Sequence, residues 1–390
     1  MKLLIYSHFF APSIGGVETI VLSLARGLTE LRNSTGAREF EITLVTQTAK
    51  GDFDDAKPPF RIVRQPTLVE LWRLIRWSDV VHLAGPAIAP LFLSLFTRRP
   101  VVLEHHGFQT ICPNGQLLIE PQSAPCPGHF MAGRHGECLR CNCGQGWLVS
   151  WKLWLLTFLR RFLSARASAN ITPTQWLGGL LNLPRVTAVP HGLAAGPAVH
   201  RAASPCCVPV IAFMGRLVTT KGVLLLLRAA KILHEQGRSF AVLIIGDGPE
   251  RTSLEKFALD SRLVTRIRFA DRLDGDQLEA ALAQVTAVVV PSLGGEVFGL
   301  VVAENMLRGL PVVVSDLGAF VEVVDGTGVT FRTGDAADLA SAVARLLDDP
   351  SAAARLGQQA RQRALDFLSK SRMIEGHSRI YQSFLGASKD

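Results

Sequence analysis

The chain is predicted to be α/β, with two doubly wound parallel-sheet domains, on three observations. Its 390 residues are too many for one ordinary core and suit two domains of about 150–200 residues each. Short apolar runs alternate with helical patterns along its length, and strands separated by helices make parallel sheets. Residues 194–209 interrupt the alternation: they are rich in Ala and Pro, carry a Cys pair and have no period, so they read as a linker.

In order, the first series places strands at 3–6, 42–45, 80–83, 101–103, around Ile171 and at 186–189, with a helix at 19–31. The second series reads strand 210–214, helix 223–236, strand 241–245, helix 251–260, strand 267–269, helix 277–284, strand 287–290, helix 300–308 and strand 312–315. Helical patterns at 338–347, 352–367 and 373–385 close the chain. The domains expected are therefore 1–195, with a Cys-rich insert at about 107–146, and 205–369. A C-terminal helix at about 370–388 is expected to pack back on the first. Sheets of this kind bind ligands outside the carboxyl ends of their strands, so function is expected in a cleft where the two sets of loops face each other.

A hydrophobic fraction of 48% with 19% charged residues excludes wholesale disorder. The opening Met1-Lys-Leu-Leu-Ile-Tyr-Ser-His8 reads as a first buried strand and not as a secretory leader. The longest apolar stretch, 147–163, is broken by Ser150, Lys152, Thr157, Arg160 and Arg161, short of the roughly 20 residues a spanning helix needs. A cytoplasmic protein is expected. Residues 1–200 hold 19 Lys and Arg against 12 Asp and Glu, a balance of +7, whereas 201–390 hold 22 against 21, or +1. The first half thus faces either solvent or an anionic partner: lipid headgroups, a lipid-linked phosphate or nucleic acid.

The strongest motif runs from Ser292 through Gly294, Gly295, Glu296, Phe298, Gly299 and Leu300 to Glu304. A strand ends, a Gly-rich turn follows and a helix opens, so unpaired N–H groups and the positive helix end make an anion site. Glu296 on the turn and Glu304 in the helix can accept hydrogen bonds from sugar hydroxyls. After the strand at 210–214 comes Gly215-Arg216-Leu-Val-Thr-Thr-Lys221-Gly222, whose two cations can grip a diphosphate, Arg bidentately and Lys as a point charge.

With Phe213-Met-Gly-Arg216, Lys221-Gly222, Ile245-Gly246-Asp-Gly-Pro249 and the Glu296-x7-Glu304 pair, the whole chain resembles the retaining family-4 glycosyltransferases of GT-B fold, which have two Rossmann-like domains. The resemblance implies that Arg216 and Lys221 hold the donor pyrophosphate, Glu304 the ribose and Glu296 the transferred sugar. Amides around Phe298, Gly299 and Leu300 would cap the distal phosphate, with Gly215 and Gly246 in the same donor site. Gly15 and Gly16, after strand one, permit close approach to a phosphate or sugar and resemble the family's first loop. His106 resembles the family's histidine beside the reacting carbon; His105 is the less favoured alternative.

The implied reaction is retaining transfer from a nucleotide diphosphate sugar, of the UDP or GDP type, to a hydroxyl of a glycan, lipid-linked or small-molecule acceptor. Charge stabilisation carries the chemistry, and with no Asp-x-Asp motif accompanying the donor loops a divalent metal is not required. The expected partners are this donor, that acceptor and an anionic membrane surface, and no nucleic acid. An inactive paralogue serving as a scaffold, or a nucleotide-sugar epimerase, is the alternative.

Five of the seven cysteines lie between Cys112 and Cys143. The spacing around Cys126, Cys138, Cys141 and Cys143 suits a structural zinc, with unligated thiols or a redox-labile pair as the alternatives. The helix that follows, with three Trp and three cations in 147–163, either lies in a membrane interface or packs on the sheet.

Overall fold

The computed structural model describes residues 1–13, 15–119, 122–141, 146–196, 198 and 208–386. The chain divides into two units: Met1–Gly115, Gly128–Ala194 and Leu368–Asp390 form one, Gln116–Pro127 and Ala195–Phe367 the other. The insert expected wholly in the first domain is therefore shared, because its Gln116–Pro127 segment belongs with the second unit.

The first unit runs β1 (Lys2–Ser7), α1 (Gly16–Glu30), β2 (Glu41–Thr46), β3 (Arg61–Arg64), α2 (Leu68–Trp77), β4 (Val80–Ala84), α3 (Ile88–Ser94) and β5 (Val101–Glu104). A short antiparallel pair in the second unit follows, β6 (Leu118–Ile119) with β7 (Ala124–Pro125). The first unit then resumes with α4 (His135–Cys141), α5 (Trp147–Ser164), β8 (Ala169–Thr172), α6 (Gln175–Leu181) and β9 (Val186–Ala188). Its strands pair in parallel in the order β3-β2-β1-β4-β5-β8-β9. Five of the six β1 residues are buried, as expected of a central parallel strand covered on both faces. The strand order reverses at β1 and β4, the place where such sheets bind ligands. β3, Arg-Ile-Val-Arg, escapes the sequence reading because an edge strand needs only two apolar residues between its arginines.

The second unit continues with β10 (Val210–Met214), α7 (Val223–Glu235), β11 (Ala241–Ile245), α8 (Arg251–Asp260), β12 (Ile267–Ala270), α9 (Gly275–Leu282), β13 (Val285–Val290), α10 (Leu300–Leu307) and β14 (Val312–Ser315). It ends with α11 (Gly318–Val324), β15 (Val329–Phe331), α12 (Ala336–Asp348) and α13 (Pro350–Phe367). Its parallel sheet, β12-β11-β10-β13-β14-β15, reverses at β10 and β13. α7 and α12 close one core with Leu226, Leu227, Leu233, Leu339 and Val343 fully or almost fully buried.

The last helix, α14 (Lys370–Gly386), belongs to the first unit. Met373, His377 and Tyr381 are buried at single-turn spacing on one face, and the Tyr381 ring meets Phe40 edge-on at 6.0 Å.

Candidate functional site

In the second unit, β10 and β13 are hydrogen-bonded neighbours, so the loops that leave their carboxyl ends emerge side by side. They also bind each other, Leu293 N donating to Thr220 O at 2.8 Å. Gly222 has a φ of +66°, and a Cβ there would stand 2.0 Å from Pro291 O, so only glycine lets the loops approach this closely. The loop after β11 joins them: Gly246, with a φ of +134°, lies so near Gly215 that a Cβ would fall 2.0 Å from the Gly215 carbonyl oxygen.

This convergence brings Lys221 Nζ to 2.5 Å from Glu296 Oε1. Ser292, a residue sequence reasoning did not assign, donates its hydroxyl to the same Oε1 at 2.9 Å. Its own carbonyl is held by the Ser315 hydroxyl at 2.7 Å. Arg216 is exposed on the same loop as Lys221 and forms no ion pair among the described residues. Gly299 caps α10 and Leu300 opens it, while the Phe298 side chain is buried. Among the described residues no side chain caps this helix, so its first N–H groups face outward as donors. Glu304 sits in the second turn of α10, and burial pushes its carboxyl up from the ordinary value, with Arg308 opposing the shift. The geometry thus joins Lys221 and Glu296 directly and places Arg216, Gly215, Gly246, Gly299 and Leu300 on loops or a helix start at the same end of the sheet. Among the described residues Glu304 forms no hydrogen bond or ion pair with Lys221 or Glu296.

In the first unit, His106 follows β5 and borders a cavity of about 610 Å³ at the carboxyl ends of β1 and β4, with Ser7, Gly85, Gln109 and Arg160 among its other walls. His105 is fully buried, faces Asn170 Oδ1 at 2.9 Å, and is pushed by burial down to about 4. Alternate residues leaving a strand point to opposite sides, and only His106 points into the cavity. Gly15 is the N-cap of α1 with extended backbone, and Gly16 is its first residue. That conformation is open to any residue, so the backbone alone does not demand glycine at position 15.

Behind His106 lies a cluster that the sequence reading missed. Glu104, at the last position of β5, is fully buried and faces four imidazoles. Its Oε2 lies 3.2 Å from His82 Nε2, 3.4 Å from His106 Nε2 and 3.5 Å from His377 Nε2, and its Oε1 lies 3.6 Å from His191 Nδ1. Burial pushes the Glu104 carboxyl up, but the facing imidazoles of His106 and His377 pull it further down, well below the usual carboxylate range. Burial lowers His82 and takes His191 down to about 3. Glu104, His106 and His191 are the one group of metal-ligating side chains with mutual ligand spacing among the described residues. The two rings are stacked at 21°, so their in-plane lone pairs run side by side instead of converging on one ion.

Of the four cysteines expected to hold a structural zinc, Cys126, Cys138 and Cys141 are among the described residues. Cys138 and Cys141 lie on α4, Cys126 belongs with the second unit, and the three form no group of ligand spacing among the described residues. Cys143 lies outside the described residues. The Cys141 thiol instead receives Asn114 Nδ2 at 3.7 Å, and Asn114 Oδ1 accepts from Cys112 Sγ at 2.9 Å.

α5 packs inside out. Ser150 and Thr157 are at most 1% exposed, whereas Trp147, Leu148, Leu155 and Phe162 are 70%, 74%, 58% and 52% exposed. A polar face of the helix lies on the protein, and an apolar one is presented outward.

The family described as Glycosyl transferases group 1 matches residues 205–363. Glycogen synthase of Mycobacterium tuberculosis (strain CDC 1551 / Oshkosh) is 34% identical over 213 residues, covering 54% of this chain and 51% of that protein. The chain thus spans about half the length of the curated relatives it matches at this level. The GDP-mannose-dependent alpha-(1-6)-phosphatidylinositol monomannoside mannosyltransferase of Mycolicibacterium smegmatis is 26% identical across 93% of this chain and 94% of its own length. The fold is that of HepE from Anabaena in complex with UDP, a GT-B structure, with a TM-score of 0.71 at 17% identity, covering 98% of this chain and all of that one.

Proposed function

Since its residues 205–363 belong to the group 1 glycosyltransferases, we propose that the chain is a retaining, metal-independent enzyme that moves a sugar from a nucleotide diphosphate donor to an acceptor hydroxyl. One observation carries the reading: neighbouring strands deliver Lys221, Glu296 and the exposed Arg216 to one end of one sheet, beside an uncapped helix start. As the bond between the anomeric carbon and the phosphate oxygen breaks, negative charge builds on the diphosphate. Arg216, Lys221 and the N–H groups of Gly299 and Leu300 are placed to receive it. The phosphate displaces Glu296 from Lys221, and Glu296, still held by Ser292, turns to the hydroxyls of the transferred sugar. Glu304 takes the ribose. The acceptor attacks from the face the nucleotide leaves, its proton passes to the departing phosphate, and configuration is retained. These cations do the work a divalent ion would otherwise do. The donor is of the UDP or GDP type. The test is thermal stabilisation by a panel of nucleotide sugars, followed by transfer and hydrolysis assays in chelator; a protein that no donor stabilises and that turns none over would sink the reading.

The first unit supports a lipid-linked acceptor met at the inner face of the cell membrane. Phe92, Leu95 and Phe96, at the end of α3, are exposed as well, and α3 packs beside α5. Arg98, Arg99 and Arg166 line a cavity of about 360 Å³ beside that face, and the Arg166 guanidinium lies 3.4 Å from the Phe162 ring centre. Trp and Phe at the level of headgroups, with arginines beside them, suit an anionic bilayer surface. No helix among the described residues is long and apolar enough to cross a membrane, so the contact is peripheral. The full-length relative acting on a phosphatidylinositol mannoside supports the same reading.

A further inference from the structure

The cluster behind His106 contains a constraint on where its protons lie. His377 Nδ1 is 2.8 Å from the Met373 carbonyl oxygen. A carbonyl only accepts, so that nitrogen carries a hydrogen. The other ring nitrogen, Nε2, faces Glu104 Oε2 at 3.5 Å. A neutral His377 would present a lone pair to the carboxylate there, and a buried anion does not tolerate one. The contact therefore needs a second proton, which makes His377 an imidazolium beside a carboxylate. His82 fits the same arrangement: its Nδ1 lies 2.9 Å from the Tyr381 hydroxyl, and its Nε2 faces Glu104 Oε2 at 3.2 Å. A proton on Nε2, the nitrogen on the Glu104 side, leaves Nδ1 to accept from Tyr381.

We propose that Glu104 is a positioning residue for His106: its buried carboxylate, balanced by an imidazolium at His377 on α14, holds His106 in the Nε2–H form. Nδ1 is then the ring nitrogen left to accept a hydrogen bond from whatever occupies the 610 Å³ cavity. The charged and titratable groups facing Glu104 are His82 from β4, His106 from its own strand end, His191 after β9, and His377 and Tyr381 from α14. His105, also in this neighbourhood, is committed to Asn170. His82 and His191 are held neutral by burial, which leaves His377 as the seat of the balancing charge. α14 thereby enters the chemistry without touching the cavity. What His106 does with the accepted hydrogen bond rests on the glycosyltransferase reading; its tautomer does not.

Two measurements test this. Long-range ¹H–¹⁵N correlation of the histidine nitrogens in the wild-type chain at pH 7, with His106 and His377 assigned from His106→Asn and His377→Gln, reads the tautomers directly. An Nε2–H neutral His106 and a doubly protonated His377 are expected; an Nδ1–H His106 or a neutral His377 overturns the proposal whether or not the chain transfers sugar. The second measurement is the pH profile of kcat in His377→Gln and Glu104→Gln. A fall of about tenfold or more in kcat with donor KM within about twofold, and a displaced profile in both variants, is expected. Partial recovery in the double variant, whose paired amides carry no charge, is expected as well. Profiles that coincide with wild type in both single variants overturn it. A wild-type chain inactive with every donor would instead fault the enzyme reading and leave the tautomer result standing.

Discussion

Lys221 and Glu296 stand 75 positions apart in the chain and 2.5 Å apart in space. On the function proposed above, the Glu296 carboxylate occupies the Lys221 ammonium that would otherwise meet the donor's phosphate oxygens. Lys221→Ala is expected to lower kcat/KM for transfer by about 10²–10³, the cost of losing one donor to a developing oxyanion. The fold should be intact, because the Lys221 side chain is about a third exposed. Glu296→Gln separates attraction from orientation. It frees Lys221, so nucleoside diphosphate binding is expected to hold or tighten while sugar transfer falls; calorimetry against kcat measures the two. Near-normal transfer in Lys221→Ala and Arg216→Ala would refute their assigned roles.

Glu304 carries a stability signature of its own. Its folded carboxyl is raised by burial, so the native state holds the proton more tightly than the unfolded chain does. Stability therefore falls as pH rises from the ordinary carboxylate value through the raised one, and it stays lower above that window. Glu304→Gln removes the loss: its melting temperature is expected to exceed that of wild type at pH 7.5 and to match it near pH 4. If Glu304 binds the ribose, the same variant loses the stabilisation that nucleoside diphosphate gives the wild type. A variant less stable than wild type at pH 7.5 would contradict the burial argument.

Tyr381 ties α14 to β4 through His82. Tyr381→Phe keeps the ring against Phe40 and removes only the hydroxyl, leaving His82 Nδ1 buried without its donor. The expected loss is about 1–3 kcal/mol, read as a lower denaturation midpoint with an unchanged slope. An unchanged midpoint would show that His82 has no need of the hydroxyl.

Legibility followed local pattern. Strands with three or more consecutive apolar residues, such as β1, β10, β13 and β14, were readable because parallel strands are buried on both faces. β3 and β15 were not, being short edge strands. In the site, Lys221 and Glu296 were readable as motif residues, but their contact depends on β10 and β13 being neighbours, which no local spacing encodes. Glu104 is harder still, since its partners come from β4, the chain after β9, and α14. The available signal was a glutamate ending an otherwise aliphatic strand, Val-Val-Leu-Glu104. The cysteine spacing describes the chain and not its path, which carries Cys126 into the second unit.

Inversion of α5 was written in the sequence as Ser150, Thr157 and Ser164, seven apart and all buried, a period that keeps three residues on one helix face. Because the polar stripe faces the protein, the apolar stripe has only solvent or a partner to meet, and on the lipid reading proposed above the arginines of the adjoining cavity would favour an anionic one. The wild-type chain is expected to sediment with vesicles containing phosphatidylglycerol and to leave them as salt rises, since the Debye length shortens from about 10 Å at 0.1 M to about 3 Å at 1 M. Trp151→Glu with Leu155→Glu places two charges on the exposed stripe without touching the buried one. Vesicle binding is expected to fall by tenfold or more, while the melting temperature is unchanged and transfer to a water-soluble acceptor stays within about twofold of wild type. Equal sedimentation of wild type and variant would remove the lipid reading. A wild-type dimer that the variant dissolves, seen in analytical ultracentrifugation without vesicles, would assign the face to a second copy of the chain.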